Sequence, residues 1–169
     1  LNMIYGARVE QTRNHYTGQN QDGVRLRDSL LLNKTSILPS VNFIYKVTPK
    51  TNARFTYART VARPSFKELS NAEIVDRISG RTFLGNDTLT QTSIDNIDLR
   101  YESFLKGGQL LSVSPFYKRF TDPIELVAYN SQNPNNFQPR NVGTANVYGV
   151  ELEAKLLIEL IIRSDLIPL

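Results

Sequence analysis

The chain has 169 residues, of which 40% are hydrophobic and 21% charged, with a formal net charge of +4 and no cysteine. That length and composition are enough for a folded core and exclude a disordered chain. Without cysteine there can be no disulfide, thiolate metal site or cysteine nucleophile, and because 20 basic residues are interleaved with 16 acidic ones there is no concentrated basic footprint for nucleic acid.

No apolar run approaches the roughly 18 residues of a transmembrane helix, which leaves open crossing by strands of about 9 to 11 residues. The chain begins in strand pattern, LNMIYGARVE, without a charged leader, apolar core and cleavage site. This reads as either a cytoplasmic chain or a piece of a longer one. Residues 1–12 alternate Met3, Tyr5, Ala7 and Val9 against Ile4, Gly6, Arg8 and Glu10, the period of a strand with one polar face. Residues 14–36 have no clear period and are rich in Asn, Gln, Asp and Gly, which predicts a long loop. Alternation returns over 37–48, with Ile37, Pro39, Val41, Phe43, Tyr45 and Val47 on one face. A turn at Pro49-Lys50 then leads into a short strand, 52–60, where Ala53, Phe55 and Tyr57 oppose Arg54 and Thr56.

A second long connection, 61–90, precedes the most regular stretch, TSIDNIDLRYESFLKGGQLLSVSPFYKRF. There Ile97, Leu99, Tyr101 and Ser103 oppose Asn96, Asp98, Arg100 and Glu102. After a turn at Leu105–Gly108, Leu111, Val113, Pro115 and Tyr117 oppose Ser112, Ser114, Phe116 and Lys118. Taken alone, this hairpin fits a soluble sandwich and a membrane wall equally. A third long connection, 121–143, ends where Tyr148, Val150, Leu152 and Ala154 alternate against Gly149, Glu151, Glu153 and Lys155.

Connections that run long, short, long, short, long are unusual in compact soluble domains, where about 4 to 6 residues is typical. Outer-membrane barrels have this asymmetry. With the long connections placed upward, Tyr57, Tyr117 and Tyr148 fall near the tops of their strands and Tyr45 and Tyr101 near the bottoms. Two aromatic belts result. The opposite face carries Arg8, Glu10, Arg54, Asn96, Asp98, Arg100, Glu102, Lys118, Glu151 and Glu153, which fits a lumen. The expected fold class is therefore all-β, an antiparallel up-and-down meander of about six strands that is part of a large transmembrane barrel. Six strands cannot close one, since the smallest common barrels have about 8.

The segments YARTVARPSFKELS, GNDTLTQTSIDNIDLRYE, GGQLLSVSPFYKRFTDPIE and NVGTANVYGVELE, in that order, resemble the barrel of TonB-dependent outer-membrane receptors of Bacteroidetes-type bacteria. The resemblance covers residues 37–153. It implies a plugged barrel of about 22 strands in the outer membrane of a Gram-negative bacterium. It also implies partners: outer-membrane lipid, a plug domain and further strands outside this chain, and an inner-membrane TonB complex that pulls on the plug using the proton-motive force. An extracellular nutrient such as a siderophore, glycan or peptide is implied as cargo. The expected chain is thus a transporter fragment, neither an enzyme nor a nucleic-acid binder, with no cofactor or metal. The alternative is a soluble or surface-anchored β-sandwich binding module, its apolar face forming a core. Two features depart from the family pattern: there is no plug or TonB-contacting box, and the tail LLIELIIRSDLIPL loses alternation and ends in Leu169 rather than an aromatic residue. We expect residues 1–155 to form the partial barrel and 156–169 to be an atypical apolar tail produced by truncation, a gene break or a frameshift.

The site candidates follow from this layout. Arg54, Asn96, Asp98, Arg100, Glu102, Lys118, Glu151 and Glu153 are expected on the lumen wall. Arg63, Pro64, Phe66 and Glu68, together with Tyr129 and Phe137 in the polar-aromatic connection, are expected at the extracellular rim, where Arg63 and Pro64 serve loop anchoring at least as well as ligand entry. Asp98 and Glu102 form a carboxylate pair, but alternation with Asn96 and Arg100 reads as an ion-paired wall rather than glycosidase chemistry. His15, the only histidine, reads as a solvated loop residue.

Overall fold

The computed structural model describes residues 1–19, 23–130 and 133–156, the side chains of residues 130, 133 and 134 excepted. The 156–169 tail expected from the sequence therefore lies almost wholly outside the described residues. Strands β1 (Asn2–Gln19), β2 (Arg25–Thr48), β3 (Thr51–Ala62), β6 (Thr92–Phe104), β7 (Leu110–Thr121) and β10 (Thr144–Lys155) form one sheet in the order β1-β2-β3-β6-β7-β10. All of its neighbours are antiparallel. This is the expected meander, open at β1 and β10. Its short turns fall at Pro49-Lys50 and at Lys106–Gly108, where Gly107 and Gly108 have φ of 72° and 76°, a conformation that costs a residue with Cβ.

The register aligns the apolar residues, odd-numbered on every strand but β10 and even-numbered there, into rows across the main sheet. One row runs Tyr5, Val41, Tyr57, Ile97, Tyr117, Tyr148. The next, toward the short turns, contains Met3, Phe43, Phe55 and Leu99. The row after it contains Tyr45, Ala53, Tyr101, Val113 and Leu152. Among the described residues no second sheet covers this face: Tyr5 is 75%, Tyr148 80% and Leu152 81% exposed. A sandwich would bury them.

The connections differ from expectation. Residues 14–36 are not a loop, since β1 continues to Gln19 and β2 begins at Arg25, paired from Asn14↔Leu32 to Gln19↔Arg25 with irregularities at Asn14/His15 and Tyr16/Gly18. Burial still alternates along β1 there, with Asn14, Tyr16 and Gly18 half-buried and His15, Thr17 and Gln19 exposed, but the half-buried positions hold polar or small residues as well as an aromatic one, so no period-2 polarity shows in the sequence. Residues 121–143 are likewise a hairpin, β8 (Ile124–Asn130) and β9 (Asn133–Asn141), which continues the β7/β10 ladder past a bend at Asp122 (φ 54°) and Gly143 (φ 50°). The bend is closed by Asp122 N–H donating to Gly143 O and Val142 N–H donating to Pro123 O.

The connection after β3 holds helix α1 (Phe66–Leu69) and a small hairpin, β4 (Glu73–Asp76) with β5 (Arg81–Leu84). Ser65 and Glu68 form a reciprocal capping box at the start of α1. Strand β5 pairs in parallel with β9, joining the two upper connections into a second sheet, β4-β5-β9-β8. Among the described residues the buried apolar side chains are Leu69 and Leu89, with Pro139, in these connections, and Leu32 on the far part of β2. The tyrosine of Tyr16 and the ring of Phe66 meet at 5.9 Å, so α1 lies against the β1–β2 hairpin.

Candidate functional site

Two regions gather the polar candidates. The first is the polar face of the main sheet, opposite the apolar rows. Arg54 on β3 and Arg100 on β6 stand directly opposite each other, an arrangement that repels unless an anion intervenes. Glu102 supplies it. Its carboxylate accepts from Arg100 Nε at 3.0 Å and from Asn52 Nδ2 at 3.2 Å, and lies 3.6 Å from Arg54. Arg100 also donates to Glu153 at 2.7 Å, carrying the network across β7 to β10. Glu102 is only 6% exposed, so this pairing is what permits a carboxylate there. Arg54, Asp98, Arg100 and Glu151, with Thr56 and Ser114, line a cleft of about 210 Å³.

The other wall candidates stand apart. Asn96 donates to Ala58 O at 3.0 Å and to Thr60 Oγ1 at 3.1 Å, tying β6 to β3. Lys118 lies 5.7 Å over the ring of Phe116. Phe116 in turn covers Gly149 across the β7/β10 ladder, where a Cβ would come within 2.7 Å of the ring.

The second region is the upper loop unit. Arg63 reaches back across the sheet to pair with Glu10 and to donate to Thr12 Oγ1 at 2.8 Å. Pro64 is buried, and Glu68 is engaged with Ser65 in the capping box. These three rim candidates therefore hold the loop in place. Phe66 and Tyr129 remain exposed at 65% and 48%, while Phe137 is half-buried under the Arg81 guanidinium at 5.6 Å. His15 stands in β1 rather than a loop, 2.9 Å from Asp28.

The sequence reading missed the side chains that join the loops. Asn141 donates to Thr90 O and Asp122 O and accepts from Thr90 N–H, Asn86 donates to Pro139 O, and Gln138 donates to Gly85 O. Their only sequence signal is enrichment in Asn and Gln, which marks loops in general. The capping box was readable, as Ser65-x-x-Glu68 before Leu69. Also missed was a charged row on the apolar face, one position above the tyrosines: Arg59, Asp95, Arg119 and Asn146 in register. Asp95 accepts from Arg59 Nε and from Tyr57 Oη, each at 2.8 Å.

An open antiparallel meander with one apolar and one ion-paired face has a counterpart among known families. The family model described as TonB dependent receptor-like, beta-barrel, matches residues 1–162. The chain belongs to the TonB-dependent receptor β-barrel family. Three solved structures illustrate the similarity of this receptor segment. A double mutant of the Serratia marcescens hemophore receptor HasR, solved with its hemophore HasA and heme, aligns with TM-score 0.63 and 13% identity over 90% of this chain and 27% of that one. The siderophore receptor PirA from Pseudomonas aeruginosa aligns with TM-score 0.60 and 17% identity over 74% and 26%. The ferric enterobactin receptor PfeA, solved in complex with BCV-L6, aligns with TM-score 0.56 and 21% identity over 70% and 19%. At these identities the likeness is one of fold. The receptor segment spans about a fifth to a quarter of the PfeA, PirA and HasR chains. No curated protein matches it.

Proposed function

We propose that this chain is a wall panel of a TonB-dependent outer-membrane transporter, of the Bacteroidetes type that its motifs resemble. The parent receptor imports a scarce extracellular nutrient of the siderophore, glycan or peptide class. The observation that carries the reading is the sheet's two-sidedness: exposed apolar rows bounded by tyrosines on one face, and a continuous ion-pair network on the other. In a bilayer the first face meets lipid and the second a polar lumen, because a charge on the lipid face would cost on the order of 2–4 kcal/mol at the midplane for Lys or Arg. The siderophore and hemophore receptors among the structural neighbours support a nutrient ligand.

On this reading Arg54, Asp98, Arg100 and Glu151 form a charged ledge in the lumen, and the loop unit held by Arg63, Pro64 and Glu68 forms part of its extracellular mouth, with Phe66 and Tyr129 as the exposed aromatic contacts. The plug, the remaining strands and the TonB contact belong to the rest of the receptor. The test uses the full-length receptor carrying this chain. It should fractionate with outer membranes and migrate differently on gels unboiled than boiled, and nutrient uptake should stop when a protonophore collapses the proton-motive force. A freely soluble receptor, or uptake indifferent to the protonophore, would sink the proposal.

A further inference from the structure

The end of the main sheet that holds its short turns carries charge of one sign. Residues 46–51, 103–111 and 154–156 include Lys46, Lys50, Lys106 and Lys155 and no Asp or Glu. The flanking carboxylates, Glu102 and Glu153, are engaged by Arg100 on the polar face. The two turn lysines belong to neighbouring turns, because Phe104 N–H donates to Lys50 O at 2.7 Å and so ties the Pro49-Lys50 turn to the one that begins at Lys106. Both are exposed, and among the described residues neither side chain has an ion pair. Lying beyond the strand ends, they are committed to neither face, and their flexible apolar stems can lie along the apolar one. Lys46 and Lys155, in register with Asn52 and Leu110, stand on the polar side of the same edge and add only to its field.

Next to these turns the apolar face is hollow. A groove of about 440 Å³ lies over Leu111 and Val113 of β7, with Tyr101 of β6 as one wall and Leu152 of β10 as the other. It stays open toward the turns because Ser103 and Ala154, which flank Leu111 in register, are small. Ser112 and Glu153 complete the lining, but their side chains meet each other on the polar face. The groove thus runs from the row of Tyr45 and Tyr101 to the edge that bears the lysines. In a bilayer a tyrosine row marks the level where acyl chains give way to headgroups, and short turns place that level in the periplasmic leaflet.

We propose that the groove and the two turn lysines hold an anionic phospholipid of the periplasmic leaflet, its phosphate at Lys50 and Lys106 and its glycerol and first acyl carbons between Tyr101 and Leu152. The combination is what commits the site to a lipid. A soluble anion would use the lysines and leave the groove empty, and a neutral acyl chain would use the groove and leave the lysines without a counter-charge. Lysine serves here as a mobile point charge, which suits a phosphate diester whose depth in the bilayer varies. This rests on the membrane-facing assignment of the apolar face proposed above.

The test takes the full-length receptor in nanodiscs, with phosphatidylglycerol and phosphatidylcholine of the same acyl chains as probes and native mass spectrometry of retained lipid as readout. Phosphatidylglycerol should be retained over phosphatidylcholine. K50Q and K106Q should each weaken that preference by about fivefold, the effect of one lysine at an anionic lipid surface, and the pair by roughly twentyfold. K34Q, which removes the same charge far from the short turns, should leave it unchanged. Ala154→Leu, which fills the groove and leaves every charge in place, should lower the retention of phosphatidylglycerol. Retention that K50Q/K106Q leaves unchanged, or that K34Q lowers as much, overturns the site alone. Indifference to Ala154→Leu, or displacement of the lipid by inorganic phosphate, also overturns it, by reducing the site to surface charge. A receptor that does not enter nanodiscs overturns the membrane-facing assignment as well.

Discussion

Glu102→Gln isolates what holds the charged wall together. The substitution keeps the side chain's shape and one acceptor oxygen but leaves Arg54 and Arg100 facing each other without the anion between them, Arg100 keeping only its ion pair with Glu153. Both guanidiniums reach the Glu102 carboxylate, at 3.6 Å and 3.0 Å, so they lie within roughly 8 Å of each other, where two like charges repel by about 2 kcal/mol at an effective dielectric near 20. Arg54 and Arg100 are 39% and 30% exposed, so water relieves part of the repulsion. The expected net loss is about 1 kcal/mol once that screening is included. The assay is the fraction of full-length receptor that keeps its compact unboiled gel form as urea rises, with stability taken from the midpoint at constant slope. Arg54→Met placed on the Glu102→Gln background should recover about half of the loss or more, because it removes one of the two facing charges. If Glu102→Gln unfolds at the wild-type midpoint, or if Arg54→Met deepens the loss, then Glu102 does not mediate between the arginines.

Three further outcomes follow from the loop unit. Gly85→Ala would place a Cβ 1.6 Å from Ser70 O, a backbone atom, so the loop must shift; a loss of about 3 kcal/mol or more in local stability is expected from overpacking, read as faster hydrogen exchange over residues 66–90 with the wall strands unchanged. Asn141→Ala removes three hydrogen bonds joining the strand ends to Thr90 and Asp122, for an expected loss of about 2–3 kcal/mol, and limited proteolysis should then cut within residues 70–90; resistance equal to wild type would count against the bridge. Asp76 accepts from the Ser79 hydroxyl and from the Ile78 and Ser79 N–H groups, with Arg81 nearby, and these hold its carboxyl below the usual aspartate range. Its pairing therefore helps the turn above the unfolded aspartate pKa of about 3.9 and is lost as pH falls through the lower native value, so amide protection at Ile78 and Ser79, corrected for intrinsic exchange, should drop there and be pH-independent in Asp76→Asn.

The wall was legible because one physical constraint acts at every second residue. From Ile94 to Glu102 and from Leu111 to Lys118 a polar face and an apolar face are both enforced, and strand, register and turn follow from that alone. Above the tyrosine row the constraint ends. The stretch Asn14–Ser36 is strand for most of its described length yet reads as loop, because the half-buried side of β1 carries Asn14 and Gly18 as well as Tyr16 and so shows no apolar period. The joining of β5 to β9 escapes notice for a different reason: the pairing of Thr82 with Asn136 and Phe83 with Phe137 is parallel and distant in sequence, so no local pattern encodes it. Among site residues, the wall charges Arg54, Arg100 and Glu102 were placed by parity. The roles of Pro64 and Glu68 as fixtures of the loop needed the buried contacts and the capping geometry.

The junction of β5 with β9 bears on how tightly a ligand could be held. Two separate connections of this length would each lose conformational freedom on closing over a guest, and that loss would subtract from affinity. Here the parallel pairing, the Asn141 bridge and the bend at Asp122 and Gly143 fix both connections against each other during folding. The loop unit is thus preorganised. A guest touching either connection meets a surface already ordered, and a change in the sequence of one connection is felt in the shape of the other.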